Sequence, residues 1–117
     1  MKNKLKLVLW GKKLQLPEDY DELEFDRYEL EFNGSWYELY IYKNNEMIKE
    51  IWYYNNGKLW HEYNYKNGKR DGKQYWWYNN GKLYCEENYK NGEQDGKQYW
   101  WSGGELAYEL NYKNGKI

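Results

Sequence analysis

The stretch from Trp52 to Trp76 reads WYYNNGKLWHEYNYKNGKRDGKQYW, and Trp76 to Trp100 reads WWYNNGKLYCEENYKNGEQDGKQYW. Asn55, Asn56, Gly57, Leu59, Glu62, Asn64 and Tyr65 each recur 24 positions later, which defines an internal repeat. A third copy opens at Trp100, one residue short in its first turn, so that Gly104 answers Gly81 and Tyr112 answers Tyr89. Upstream, Asn33, Gly34, Tyr40, Tyr42, Lys43 and Asn44 fall 23 positions before Asn56, Gly57, Tyr63, Tyr65, Lys66 and Asn67 and make a degenerate first copy. About three and a half units thus cover residues 28–117. A stacked array of like units suits an extended binding surface better than a closed pocket.

Each unit contains two turn signals. Asn33-Gly34, Asn44-Asn45, Asn56-Gly57, Asn67-Gly68, Asn80-Gly81, Asn91-Gly92, Gly103-Gly104 and Asn114-Gly115 arrive every 11 to 13 residues. Asn-Gly is favoured where two successive residues need positive φ, the type I′ turn whose twist matches that of paired strands. The segments between these signals are aromatic and alternating, so they predict an all-β fold: a single elongated, twisted antiparallel meander of tandem hairpins. Strands are expected near residues 36–42, 48–53, 59–65, 73–77, 83–89, 97–101 and 106–112. Asp71-Gly72 and Asp95-Gly96 are expected to widen a turn or form a bulge. Strict alternation puts Leu59, His61, Tyr63 and Tyr65 on the more apolar side of their strand, with Trp60, Glu62, Asn64 and Lys66 opposite.

Residues 1–27 lie outside the repeat. Leu5, Leu7 and Leu9 alternate with Lys4, Lys6 and Val8, which predicts a strand, and residues 14–16 are expected to return beside it. This hairpin would cap one end of the array, where an edge strand offers unpaired backbone groups. An acidic run from Glu18 to Glu31, relieved only by Arg27, is expected to connect the cap to the repeats.

The mean hydropathy of −1.35 would suit a disordered chain, but 22% of the residues are Phe, Trp or Tyr. Rings must therefore supply the burial, and aromatic pairs add about 0.5–1.5 kcal/mol beyond their area. Net charge is −1, which disfavours a general nucleic-acid binder. The single cysteine, Cys85, forms no intramolecular disulfide and suits a reducing compartment. With no stretch long enough for a signal peptide or a membrane span, a cytoplasmic location is the default expectation.

Candidate chemistry is sparse. His61 and Cys85 occupy the same place in successive units, but such positions lie two strands, about 9–10 Å, apart, too far to share a metal ion. No metal site and no cofactor are expected. Ser35 and Ser102 are the only serines and threonine is absent, so a nucleophile with base and orienter is hard to assemble. No enzymatic activity is expected.

The unit YKNGKRDGKQY from Tyr65 to Tyr75, followed by an aromatic pair and Asn-Asn-Gly-Lys-Leu, resembles a MORN repeat. It is most similar to the variant MORN repeats of bacterial antitoxin-like proteins. Residues 89–99 repeat the match as YKNGEQDGKQY, and residues 112–116 begin it again. The resemblance implies a twisted sheet that binds a macromolecular partner. That partner is expected to be a protein, with a toxin, a nuclease or a defence protein as the candidates, and the chain itself an inhibitor.

Candidate partner-binding residues are the rows Trp52, Trp76, Trp100 and Tyr53, Trp77, Trp101, with Trp60 and Tyr84 on the other side, since Trp and Tyr dominate interface hot spots. The acidic run reads either as a solvated face and connecting loop or, through Glu22, Glu24 and Asp26, as a surface that imitates phosphates for a basic partner. A glycan- or choline-binding aromatic module is the alternative, and single-stranded nucleic acid stacked on the rings a further one. The last strand, near the C-terminus, offers an edge through which two copies could pair.

Overall fold

The computed structural model describes residues 2–117. The turn signals set the sheet's register, and they do so in two ways. Asn44 and Asn45, Asn67 and Gly68, Asn91 and Gly92, Gly103 and Gly104, and Asn114 and Gly115 all take positive φ at both positions, as type I′ turns require. At Asn33-Gly34, Asn56-Gly57 and Asn80-Gly81 only the glycine does. There the asparagine side chain closes a longer loop instead: Asn56 Oδ1 accepts the Lys58 N–H at 2.9 Å and Asn80 Oδ1 the Lys82 N–H at 2.9 Å.

Between the turns run β1 (Arg27–Phe32), β2 (Tyr37–Lys43), β3 (Glu46–Tyr53), β4 (Leu59–Lys66), β5 (Lys69–Arg70), β6 (Gly72–Trp77), β7 (Leu83–Lys90), β8 (Glu93–Gln94), β9 (Gly96–Ser102) and β10 (Glu105–Tyr112). They form one open antiparallel sheet in the order β1-β2-β3-β4-β6-β7-β9-β10, with β5 beside β4 and β8 beside β7. The expected meander and its strands are therefore present, within a body of 41 × 35 × 26 Å.

Asp71 and Asp95 mark a break in the second strand of a unit. Gly72 and Gly96 follow at φ 83° and 90°. The gap this opens beside Asn64 is filled by the Gln74 side chain, whose Oε1 accepts the Asn64 N–H at 2.9 Å while its Nε2 donates to the Asn64 carbonyl at 3.0 Å. Gln98 treats Asn88 identically, at 2.8 and 3.0 Å. Both amides are fully buried, and they pair the backbone groups that the break would leave without a partner strand. Successive hairpin tips then dock on one another: Gly92 N–H donates to the Arg70 carbonyl at 2.8 Å and Gly115 N–H to the Gln94 carbonyl at 2.9 Å.

The N-terminal segment departs from expectation. Lys2–Gly11 is an α-helix, α1, in place of the predicted strand, and residues 14–16 pass as a strap with no strand. Leu5 and Leu9, one helical turn apart, are fully buried, whereas Leu7 is 67% exposed. The alternation of Leu5, Leu7 and Leu9 contains the i, i+4 pair a helix needs, and Lys and Leu are good helix formers. Leu5, Leu9, Leu14 and Tyr20 cover Leu39, Ile41, Ile51, Tyr53, Leu59 and Trp77 on one face of the sheet, which is the molecule's core. Burying each leucine contributes about 1.5–3 kcal/mol. The strap is tied down by Gln15, whose N–H donates to the Gly57 carbonyl at 2.9 Å. It runs so close that a Cβ on Gly57 would lie 2.0 Å from the Lys13 carbonyl oxygen.

The acidic run continues the strap. A single 3-10 turn at Tyr20–Glu22 leads into β1.

An aromatic face and its candidate site

Two adjacent ring-bearing positions lie at or next to the end of β3, β6 and β9, and strand alternation sends them to opposite faces. Tyr53, Trp77 and Trp101 lie on the face that α1 covers, Tyr53 and Trp77 being buried there. Trp52, Trp76 and Trp100 lie on the other face. Between them, the first strand of each unit carries a β-bulge: Tyr53 pairs with Leu59 but Trp52 with His61, and Trp77 pairs with Leu83 but Trp76 with Cys85. The skipped residues are Trp60 and Tyr84.

A bulge reverses alternation beyond it, which corrects the expected faces. Leu59 is buried in the core, on the side of Glu62 and Asn64, whereas His61, Tyr63 and Tyr65 pass to the other side and Trp60 joins them. The rings confirm this: Trp60 stacks on His61 at 4.8 Å and His61 on Tyr63 at 5.5 Å. Trp60 and Tyr84 accordingly share the face of Trp52, Trp76 and Trp100, not the opposite one.

That face carries a row of rings, packed ring on ring from Trp36 to Trp76, that α1 leaves uncovered. Trp36 stacks on Trp52 at 5.7 Å and meets Trp60 edge-on at 5.7 Å. His61 stands edge-on between Trp52 and Trp76, 5.5 Å from each. Farther along, Trp100 stacks on Tyr108 at 4.9 Å. The Trp36 and Trp52 indoles donate to Glu38 and Glu50 at 2.9 and 2.8 Å, which fixes their planes. Trp36 and Tyr108 are absent from the sequence-derived set. Trp36 escapes it because its unit is degenerate, and β1 pairs with β2 without the register shift that marks the later units.

Burial sets the protonation of the polar groups inside this row. The His61 pKa is pushed down to about 4, by desolvation first and then by Arg70, so the imidazole is neutral near pH 7, and its Nδ1 is buried without a partner. Burial drives the Cys85 thiol up to about 12, with Glu87 and Glu86 adding to it, so it stays protonated and poorly nucleophilic. Glu87 is raised by burial against the opposing pull of Gln94 and Arg70. Arg70 itself lies 4.6 Å over the Tyr63 ring.

On the covered face, a cavity of about 530 Å³ opens between the strap and β4–β6, with Glu18, Asp19, Glu22, Glu62 and Asp71 on its walls and Tyr75 and Trp77 behind them. The buried Lys49 ammonium bridges Asp19 and Glu62, at 3.0 and 3.2 Å. Of the acidic candidates, Glu22 rims this cavity, Glu24 pairs with Lys43 at 3.3 Å, and Asp26 Oδ2 accepts the Asn44 N–H at 2.5 Å. The run is thus laid along the sheet and engaged with it.

Tandem hairpins with this break-and-bulge pattern define an all-β repeat protein. The MORN repeat variant family matches at residues 48–67, 70–91 and 94–114, and the chain belongs to that family. Such repeats are in general modules for interaction with proteins or membranes rather than enzymes. No helix among the described residues is long and apolar enough to cross a membrane. No curated protein matches the chain. Among solved structures, it is similar to a chain of the Glycosylation Associate Protein (Gap123) complex from Streptococcus agalactiae, with 18% identity and a TM-score of 0.49 over 93% of this chain. The chain spans 22% of the length of that one.

Proposed function

We propose that this chain is a protein-binding module that seats a macromolecular partner on the uncovered aromatic face and acts without catalysis. The observation that carries the reading is the row Trp36, Trp52, Trp60, His61 and Trp76, held ring against ring and left half-exposed on a sheet whose other face already has its cover. Rings that brace one another lose little freedom on binding, which is what makes aromatic anchors effective hot spots. An inhibitor or antitoxin-like role is the finer form of this proposal, in which a rigid sheet occludes the partner's working surface. Pairing of two copies through the outer edge of β10, which carries the exposed Leu106 and Tyr108, would double the row and give avidity.

The test is capture from lysate followed by reconstitution with the purified partner, comparing Trp76→Ala with Trp100→Ala on this face against Trp101→Ala on the other. Loss of a directly reconstituted protein complex in the first pair alone supports the reading, and inhibition of the partner's activity at equal stoichiometry supports the finer form. Binding unchanged in the first pair, or retention of only polysaccharide, overturns it.

A further inference from the structure

Within the aromatic face, two successive units build the same frame and fill it differently. His61 lies directly opposite both Trp52 and Trp76, and Cys85 directly opposite both Trp76 and Trp100. In the first frame the imidazole occupies the space between the indoles edge-on, at interplanar angles of 77° and 87°, with the Tyr63 ring stacked beside it. In the second frame the equivalents of His61 and Tyr63 are Cys85 and Glu87, neither of which has a ring. Tyr84, the equivalent of Trp60, packs on Tyr78 at 4.7 Å. What results is an open slot of about 230 Å³ lined by Trp76, Tyr84, Cys85, Glu87 and Trp100. It is short of one flat group.

Resting on the protein-binding reading above, we propose that the slot between Trp76 and Trp100 takes up the guanidinium of an arginine on the partner. The first frame shows the shape the space accepts, a flat, nitrogen-bearing group, there an uncharged imidazole, 5.5 Å from each indole. A cation at that position lies within about 6 Å of two ring centroids, the range in which cation–π attraction operates. Glu87, where the first frame has a tyrosine, adds a carboxylate to the wall and selects for positive charge. Gln94 donates to this carboxylate, which holds it in place. Arginine fits better than lysine because its guanidinium is planar and weakly hydrated, and Arg70, stacked over Tyr63 at 4.6 Å, shows this face holding one already. Both walls are braced from behind, Trp76 by His61 and Tyr63 and Trp100 by Tyr108, so the slot is formed before its ligand arrives.

The experiment titrates the intact protein with N-acetyl-arginine methylamide and follows the indole N–H resonances of Trp76 and Trp100, assigned through Trp76→Phe and Trp100→Phe. Saturable shifts at both indoles are expected at millimolar probe, with the neutral citrulline analogue at least about tenfold weaker because the cation–π attraction is lost. Cys85→His, which installs the ring the first frame already carries, is expected to abolish the shifts, and Glu87→Gln to weaken them. Equal binding of the citrulline analogue, shifts that persist in Cys85→His, or no saturable shift in the wild type would each overturn the proposal. The citrulline comparison needs no variant and stands even if a substitution unfolds the chain. A partner lost by Trp76→Ala and Trp100→Ala yet held by Cys85→His would leave the binding module intact and remove the slot. An arginine probe that binds, beside a partner indifferent to both tryptophans, would do the reverse.

Discussion

Lys49 Nζ lies 3.2 Å from Glu62 Oε2 beneath the strap, both side chains nearly inaccessible at 2% and 6% exposure. Removing one member strands a buried charge, so Lys49→Met should destabilise by about 3–5 kcal/mol, whereas Lys49→Met with Glu62→Leu should recover most of that. Glu62 is raised by burial, which Lys49 opposes. Without the lysine, the carboxyl's folded pKa rises further, and stability held by its protonated form is lost as pH rises through that value. The Lys49→Met deficit should therefore be smaller at pH 4 than at pH 7 in urea melts.

The imidazole of His61 imposes the opposite slope. Its folded pKa, about 4, lies below the unfolded value of 6.5, so the unfolded chain takes up a proton first as the solution is acidified. Its contribution is complete above pH 6.5 and falls between 6.5 and 4. Glu62 and Glu87, both raised, act in the reverse sense. The stability of wild type relative to His61→Phe isolates the histidine, and it should fall on acidification as wild type loses this contribution. A pH-independent difference would show that His61 titrates normally.

Gly57 has two reasons to be glycine, its φ of 87° and the Lys13 carbonyl. Gly68, at φ 77°, has only the first, since nothing lies within 4 Å of its missing Cβ. Gly68→Ala should cost about 1–2 kcal/mol from the left-handed conformation alone. Gly57→Ala should cost clearly more and loosen the strap, seen as faster amide exchange at Gln15.

Gln98→Ala would leave the Asn88 N–H without its partner in the sheet, while the Asn88 carbonyl keeps the Asp95 N–H at 2.9 Å. A buried unsatisfied group costs about 1–3 kcal/mol, so a destabilisation within that range is expected, with the Asn88 amide exchanging much faster. Gln98→Glu, which turns a buried donor into an acceptor facing the Asn88 and Gly96 carbonyls, should cost at least as much as the alanine, and less at acid pH where a protonated carboxyl can donate.

Leu9→Ala should cost about 2–5 kcal/mol as a core truncation, while Leu7→Ala should stay within about 0.5 kcal/mol as a surface change. A strand would have made the two equivalent.

Period, strand limits and family were all legible in the sequence, because turn chemistry and a 24-residue recurrence are local facts about the chain. Asn67-Gly68 specifies its turn wherever it is placed, and aromatic alternation specifies a strand on either side. Three features needed the neighbours. The LKLVLW segment satisfies both a strand and a helix, and only the apolar patch formed by Leu39, Ile41, Ile51 and Leu59 selects the helix that buries Leu5 with Leu9. The bulge at Trp60 arises from pairing with β3, so the sides taken by His61, Tyr63 and Tyr65 cannot be read from their own strand. Last, the contrast between a frame filled by His61 and one left open at Cys85 exists only where Trp52, Trp76 and Trp100 stand side by side. Sequence determined what each unit is made of; the packing of one unit against the next decided which rings became core, which became surface, and where the surface has room.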